Sequence, residues 1–388
     1  MEQHLTRRNF VGVAAASASG AVPKRVNASR LRTAIREGCA WITDVAQMKS
    51  DTLRGESNSN DLRHRHWKGA MRGEYRAATR QWDFFCPTWH TGQAIKALVL
   101  AAKALNQPGL LDAARFSAGF IEAERIADKA HPHYGLIFGF EDRGDQVNTS
   151  ALLECVDGLW LLSDATGDNR YGEWALAATS WVARNAYIGG GLVRDAFNVT
   201  TWRFVAPPWE TDKPGRPLND DAVFLKAWQR GHNPEHRKIF FEIAERLLRE
   251  ENPSGNWIGF KPCDAVTGSI HPRHAYWWGW PMVAAWRESR DRRYLECASR
   301  AGEWYLNAMR TDGGLFRSTR TDFKTPSFGH ENSGIACATM LWQDLWKETR
   351  EERWLTGIST ALRGCLNLQF RDVGDPNLKG AILENIPS

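Results

Sequence analysis

The chain has no Cys-x-x-Cys pair, no long block of one charge sign, no glycine-rich phosphate loop and, downstream of its first 30 residues, no membrane-length apolar run. Each absence removes a class of protein. The cysteines, Cys39, Cys86, Cys155, Cys263, Cys297, Cys337 and Cys365, are odd in number and far apart. That speaks against a disulfide framework or a cysteine-ligated zinc site and for buried free thiols in apolar helical runs such as ECVDGLWLL and IACATML. No segment approaches the ~18 consecutive apolar residues of a membrane span, so none is expected. Without a P-loop or a GxGxxG turn after a strand, no nucleotide cofactor is expected, and no metal. The net charge of +5 comes from scattered basic residues, which argues against nucleic acid and leaves room for an acidic ligand.

What is present is tryptophan. Nineteen of the 388 residues are Trp, in a chain that is 43% hydrophobic and long enough for one large core. At the N-terminus, Thr6-Arg7-Arg8-Asn9-Phe10-Val11 followed by GVAAASASGAV has the form of a twin-arginine export signal, with small residues near Ala21 for cleavage. Residues 1–30 are assigned to signal peptide and leader. The mature protein over 31–388 is then expected in the periplasm or secreted, with the export machinery as a partner.

Internal repetition sets the expected architecture. Segments 91–124, 150–185, 220–250, 279–309 and 333–368 share one grammar: an apolar helix, a short polar break, then an amphipathic helix. The breaks at Gln107, Asp168, Asn233, Arg292 and Glu352 recur about every 60 residues, and helix 31–46 with the C-terminal segment supplies a sixth, incomplete unit. This pattern predicts an all-α fold, a single (α/α)6 toroid of hairpins with the more apolar helix of each pair inside; an open solenoid is the alternative. The connections 125–149, 186–219, 251–278 and 310–332 are long and rich in Gly, Pro, aromatic and charged residues. All precede inner helices, so they are expected to gather at one mouth of the ring, where long loops carry function. One of them, HPRHAYWWGWPM (271–282), is expected to line the substrate cleft ahead of an inner helix beginning near Gly279.

The hairpin grammar, with tags such as TGDNRYGEWA and SRDRRYLECA, resembles the six-hairpin glycosidase superfamily, particularly its unsaturated glucuronyl and rhamnogalacturonyl hydrolases. LNDDAVFL places Asp220 and Asp221 where that family has a W-x-DD-x-x-M-like motif, and Gly279-Trp280 of YWWGW matches the end of an R-G-x-G-W-like motif. The resemblance implies a hydrolase acting on uronic-acid oligosaccharides, in which one of Asp220 and Asp221 protonates an unsaturated uronic ring and assists attack by water.

Other carboxylates compete for an acid/base role. Glu331 in GHENSG starts an inner helix beside His330 and Asn332, while Asp157 lies in an apolar run where an unpaired acid would be costly. Glu141, Asp142 and Asp145 read as loop charges. Trp160, Trp174, Trp181, Trp304, Trp342, Trp346 and Trp354 fall at helical spacing and read as packing between hairpins. Trp82, Trp89, Trp202, Trp209, Trp257, Trp277, Trp278 and Trp280 lie in or next to mouth loops, where flat faces can stack on sugars. His90, His274 and Tyr276 join them as polar contacts. Among Arg194, Arg203, Arg273, Arg317 and Arg320, a guanidinium can grip a uronic carboxylate. Two rival functions remain open at this level: a polysaccharide lyase using Tyr276, His274 or His330 with Arg273 and Asn332, and a non-catalytic glycan-binding protein.

Overall fold

The computed structural model describes residues 26–52, 64, 66–83, 85–141, 144–206, 214–325 and 330–386. The twin-arginine motif and Trp209 lie outside these residues. Among those described are eleven α-helices: α1 (Ala28–Trp41), α2 (Pro87–Leu105), α3 (Gly109–Ala123), α4 (Thr149–Thr166), α5 (Asn169–Asn185), α6 (Val223–Gly231), α7 (Pro234–Glu250), α8 (His274–Ser289), α9 (Arg292–Ala308), α10 (Asn332–Thr349) and α11 (Glu352–Asn367). The helix α1 begins inside the stretch assigned to the leader. No described helix is long and apolar enough to cross a membrane.

The recurring polar break has a simple stereochemical basis. Each inner helix ends on a residue in the left-handed region: Asn106, Gly167, His232, Arg290 and Arg350 all have positive φ. That conformation turns the chain out of the helix. In three of the five hairpins the next residue, Asp168, Asn233 or Asp291, then accepts a backbone N–H two residues on and starts the outer helix. Stop and start signals thus sit side by side, which is why the breaks were visible in sequence.

Five hairpins, α2/α3 to α10/α11, follow one another, and the ring closes through its irregular sixth unit. Arg32 of α1 donates to the Ala104 carbonyl at the end of α2, at 2.9 Å. On its other side Arg30 donates to Asn367 at 3.0 Å, Glu37 pairs with Arg371 at 3.1 Å, and Gln369 donates to the Ala34 carbonyl at 2.9 Å. Segment 368–386 therefore occupies the place of a twelfth helix, and the open solenoid is excluded. Next to that closure, α2 and α4 meet almost backbone to backbone: a Cβ at Gly92 would lie 2.4 Å from Cys155 Cα, and one at Gly158 2.2 Å from the Gly92 carbonyl.

The loops do gather at one end, where short strands stitch them together. There β3 (Gln146–Asn148) pairs with β6 (Ala196–Asn198), which pairs with β7 (Arg203–Phe204), while β8 (Ser269–Ile270) pairs with β9 (Thr319–Arg320) and β10 (His330–Glu331) with β11 (Asn385–Ile386). No central sheet forms among the described residues.

One boundary differs from expectation. Helix α8 starts at His274, not near Gly279, and carries Pro281 inside it. Gly279 is neither a turn nor a point of approach for a ligand: a Cβ there would sit 2.5 Å from Ala301 Cβ, so this glycine lets α9 close onto α8. Packing on that seam offsets the hydrogen bond that Pro281 cannot make.

Candidate active site

The five inner helices start at the mouth, so their first turns and the residues just before them converge there. From α2 come Trp89 and His90, from α4 Ser150 and Glu154, from the 3-10 turn Asp220–Ala222 before α6 the two aspartates, from the start of α8 Arg273 and Trp277, and from α10 Glu331 and Asn332. Asp221 and Ala222 both adopt left-handed φ, at 50° and 52°. Two such residues in succession, neither glycine, are strained and need side-chain anchoring to persist.

Asp221 has that anchor. Its Oδ1 accepts from Lys96 Nζ at 2.8 Å and from the Tyr276 hydroxyl at 3.3 Å. Lys96 also reaches Asp157 at 2.8 Å, and Lys226 holds the other Asp157 oxygen at 2.5 Å. Burial alone would raise Asp157, but the two ammonium groups outweigh it and bring the carboxyl down to about 2. Burial likewise opposes the charge on Lys96, yet Asp221 and Asp157 hold its pKa above the ordinary lysine value. Asp157 is thus no unpaired acid; it is the centre of a saturated ion network one to two turns below the mouth.

Asp220 is treated differently. It is 4% exposed, and its Oδ2 has no hydrogen-bond partner among the described residues. Burial raises its pKa most; Asp221 and Asp195 add to the rise, Arg216 opposes it, and the result is about 7. Arg216 is itself held by Asp195 and by Ser150 Oγ at 3.1 Å, and Asp195 accepts from the Ser150 N–H at 2.9 Å. A second carboxyl, Glu154, is pushed well above the ordinary glutamate value by burial and then by Asp220, while Arg273 pulls it back. Sequence reading missed Glu154, Lys96, Lys226 and Arg216. Glu154 was recoverable, since it stands three residues before Asp157 on the same face of α4.

Farther along the mouth, Arg273 lies 5.2 Å from the ring centroids of both Trp89 and Trp277, with Glu331 3.5 Å from its Nε. His271 stacks on Trp277 at 5.1 Å and faces Glu331 at 3.7 Å; burial, then Arg273 and His274, keep its imidazole well below the usual histidine pKa. Glu331 is raised by burial and by Glu384, against the pull of Arg273. Glu384 belongs to segment 368–386: its carbonyl accepts from Asn332 N at 3.0 Å and its carboxylate from Ser333 N at 2.8 Å. The Asn332 side chain accepts from Cys365 Sγ at 3.2 Å. His330 pairs with Ile386 in β10–β11. His90 lies against Trp89, 4.7 Å between ring centres, and burial brings its pKa to about 4.

No family model matches the chain, and no curated protein is similar to it in sequence. Solved structures are. A D-mannose isomerase superposes with a TM-score of 0.64 at 14% identity, covering 93% of this chain and 90% of its own. An unsaturated glucuronyl hydrolase specific for heparin gives 0.65 at 12%, covering 91% and 88%. The cellobiose 2-epimerase of Spirochaeta thermophila gives 0.64 at 15%, covering 93% and 90%. The six-hairpin toroid is the fold of this chain.

That fold splits the expected cleft residues of HPRHAYWWGWPM into two faces. Arg273, Tyr276 and Trp277 belong to the mouth and lumen. His274 and Trp278, expected as substrate contacts, are wholly buried instead: their rings lie 4.0 Å apart, His274 bonds Asn256 and Cys263, both at 3.1 Å, and Trp278 packs on Trp257 and Phe260. They face away because, in a helix that begins at His274, positions 274 and 278 lie one turn apart on the face covered by residues 256–263. Trp257, also expected at the mouth, is fully buried too. Trp280 points to the far end of the lumen, donating to Asp344 at 2.8 Å with Lys226 over its ring. The Tyr276/His274 pair of a lyase is consequently not assembled.

Proposed function

We propose that this chain is a carbohydrate-active enzyme that hydrolyses oligosaccharides ending in an unsaturated uronic acid, with Asp220 as the proton donor. The observation that carries the reading is the Asp220 carboxyl: buried, without an ion-pair partner among the described residues and protonated up to about pH 7, as a general acid must be. Asp220 adds its proton to C4 of the ring double bond, and positive charge develops at C5. Its carboxylate then takes a proton from the water that bonds to C5, which leaves a hemiketal that opens and expels the neighbouring sugar. Arg273, fixed between two indole faces, and the convergent helix N-termini suit the uronic carboxylate; Trp89 and Trp277 suit the sugar faces.

Incubation with unsaturated uronyl disaccharides, followed by absorbance of the conjugated ring, tests this. Loss of absorbance supports hydrolysis, while a gain on saturated polymer means a lyase. A second reading, sugar epimerisation or isomerisation, draws on the neutral His271 beside Glu331, a base and acid at 3.7 Å. Interconversion of neutral sugars with no change in absorbance would replace the first reading by that one. Binding without any turnover would leave a glycan-binding protein.

We also propose export through the twin-arginine motif at Arg7-Arg8. No disulfide joins any of the seven cysteines, as suits a chain exported folded. Cell fractionation of the full chain and of Arg7→Lys/Arg8→Lys tests it, with accumulation of the variant in the cytoplasm expected.

A further inference from the structure

Four inner helices and one turn meet on one chain of alternating charges: Lys226 of α6, Asp157 of α4, Lys96 of α2, Asp221 of the 3-10 turn and the Tyr276 hydroxyl of α8. Among the described residues only Lys96 touches both carboxylates, at 2.8 Å each, and it does so with 14% of its side chain exposed. Asp221 is the residue whose left-handed backbone aims its neighbour, and no glycine relieves the turn on either side. A lysine on another helix therefore holds the strained turn by its one anchored side chain.

We infer that Lys96 is the positioning residue of the site: by clamping Asp221 it fixes the 220–222 turn and neutralises the nearer charge, so that Asp220 keeps a proton it can still release. This rests on the reading of Asp220 as the proton donor. The groups acting on Asp220 are Asp221 on its own turn, Arg216 and Asp195 from the preceding loops and Glu154 from α4; Lys96, Asp157, Lys226 and Tyr276 act on it through Asp221. Of the two lysines, Lys96 alone bonds Asp221, whereas Lys226 bonds only Asp157 at the other end of the chain. Removing Lys96 leaves Asp221 without its cation, so Asp220 meets a bare negative neighbour and its titration moves up. Removing Lys226 leaves that contact in place.

The test compares Lys96→Met, Lys96→Arg and Lys226→Met by two readouts. One is the carboxyl 13C resonance of Asp220 in aspartate-labelled protein, assigned by difference with Asp220→Asn and followed against pH. The other is the alkaline limb of the kcat/KM profile on an unsaturated uronyl disaccharide. Lys96→Met is expected to raise both midpoints by about one pH unit and to lower kcat at least tenfold with little change in KM. Lys96→Arg should restore the midpoint, and Lys226→Met should leave it unmoved. Should Lys96→Met not fold, Tyr276→Phe removes the other donor to Asp221 while keeping every charge, and a smaller upward shift is expected. An unmoved Asp220 midpoint in Lys96→Met, or in Tyr276→Phe should Lys96→Met not fold, overturns the inference and makes Lys96 a structural tie. The resonance titrates whether or not the disaccharide is turned over, so failure of the proposed activity and failure of the clamp are told apart.

Discussion

Two carboxyl clusters line one cavity, and the ring gives them opposite surroundings. Asp157 and Asp221 are saturated by two lysines and a tyrosine drawn from three helices, whereas Asp220 and Glu154, next to them, share burial and each other's charge with no lysine at all. Position on the ring cannot explain this, since Asp220 and Asp221 are consecutive and Glu154 is one turn from Asp157. The difference is made by lysines at the inner-helix positions that face only the lower pair. Charge that is paired here ties helices together; the carboxyls without a lysine hold their protons to higher pH.

The comparison breaks most visibly at Asp220. Asp220→Asn should cut kcat by about 100- to 10,000-fold, the usual contribution of a general acid, with the fold intact; steady-state kinetics on the unsaturated disaccharide checks this. Asp157→Asn should do the reverse. It leaves two buried ammonium groups short of a partner, at a cost of about 3–5 kcal/mol, read as a lower denaturation midpoint with activity per folded molecule largely kept.

The pH dependence of stability separates the clusters without any substrate. Asp220 binds its proton more tightly folded than unfolded, so it lowers stability as pH rises from about 4 to about 7, and Asp220→Asn should flatten thermal stability across that window. Asp157, depressed to about 2, contributes stability above its unfolded pKa that is lost as pH falls toward 2. Melting curves of the Asp220 and Asp157 variants across the acid range measure both slopes. A smaller effect sharpens the mouth itself: Arg273→Lys keeps the charge but loses the planar stack between two indoles and should raise KM roughly tenfold, ~1.4 kcal/mol, for a uronide and not for a neutral sugar.

Much of the fold was legible because it is written in local chemistry. A left-handed helix stop followed at once by a new helix start recurs at a fixed interval, and five boundaries fell within a few residues of the breaks expected. Helix α8 was misjudged for an equally local reason. Gly279 and Pro281 read as punctuation, but Ala301 packs against the glycine, and tertiary burial decides there. The same five residues misplaced His274 and Trp278. The site was half visible: Asp220, Asp221, Asp157, Arg273 and Glu331 were named, yet which acid holds a proton depends on Lys96 and Lys226. A lone lysine in an apolar helix gives no sign of its partner until the helices are side by side. Glu384 was beyond reach, because only ring closure brings a residue from segment 368–386 to the start of α10.

The glycine contact between α2 and α4 also governs how the ring can move. With backbones that close at Gly92 and Gly158, that point of the seam has no side chains to repack, and a small separation would open a void there. The contact of segment 368–386 with the start of α10, made through single hydrogen bonds and a two-residue strand pair, can part bond by bond. Amide exchange should accordingly be slowest along α2 and α4 and fastest around residues 380–386, so a ligand that must widen the mouth to enter does so from the sixth unit's side.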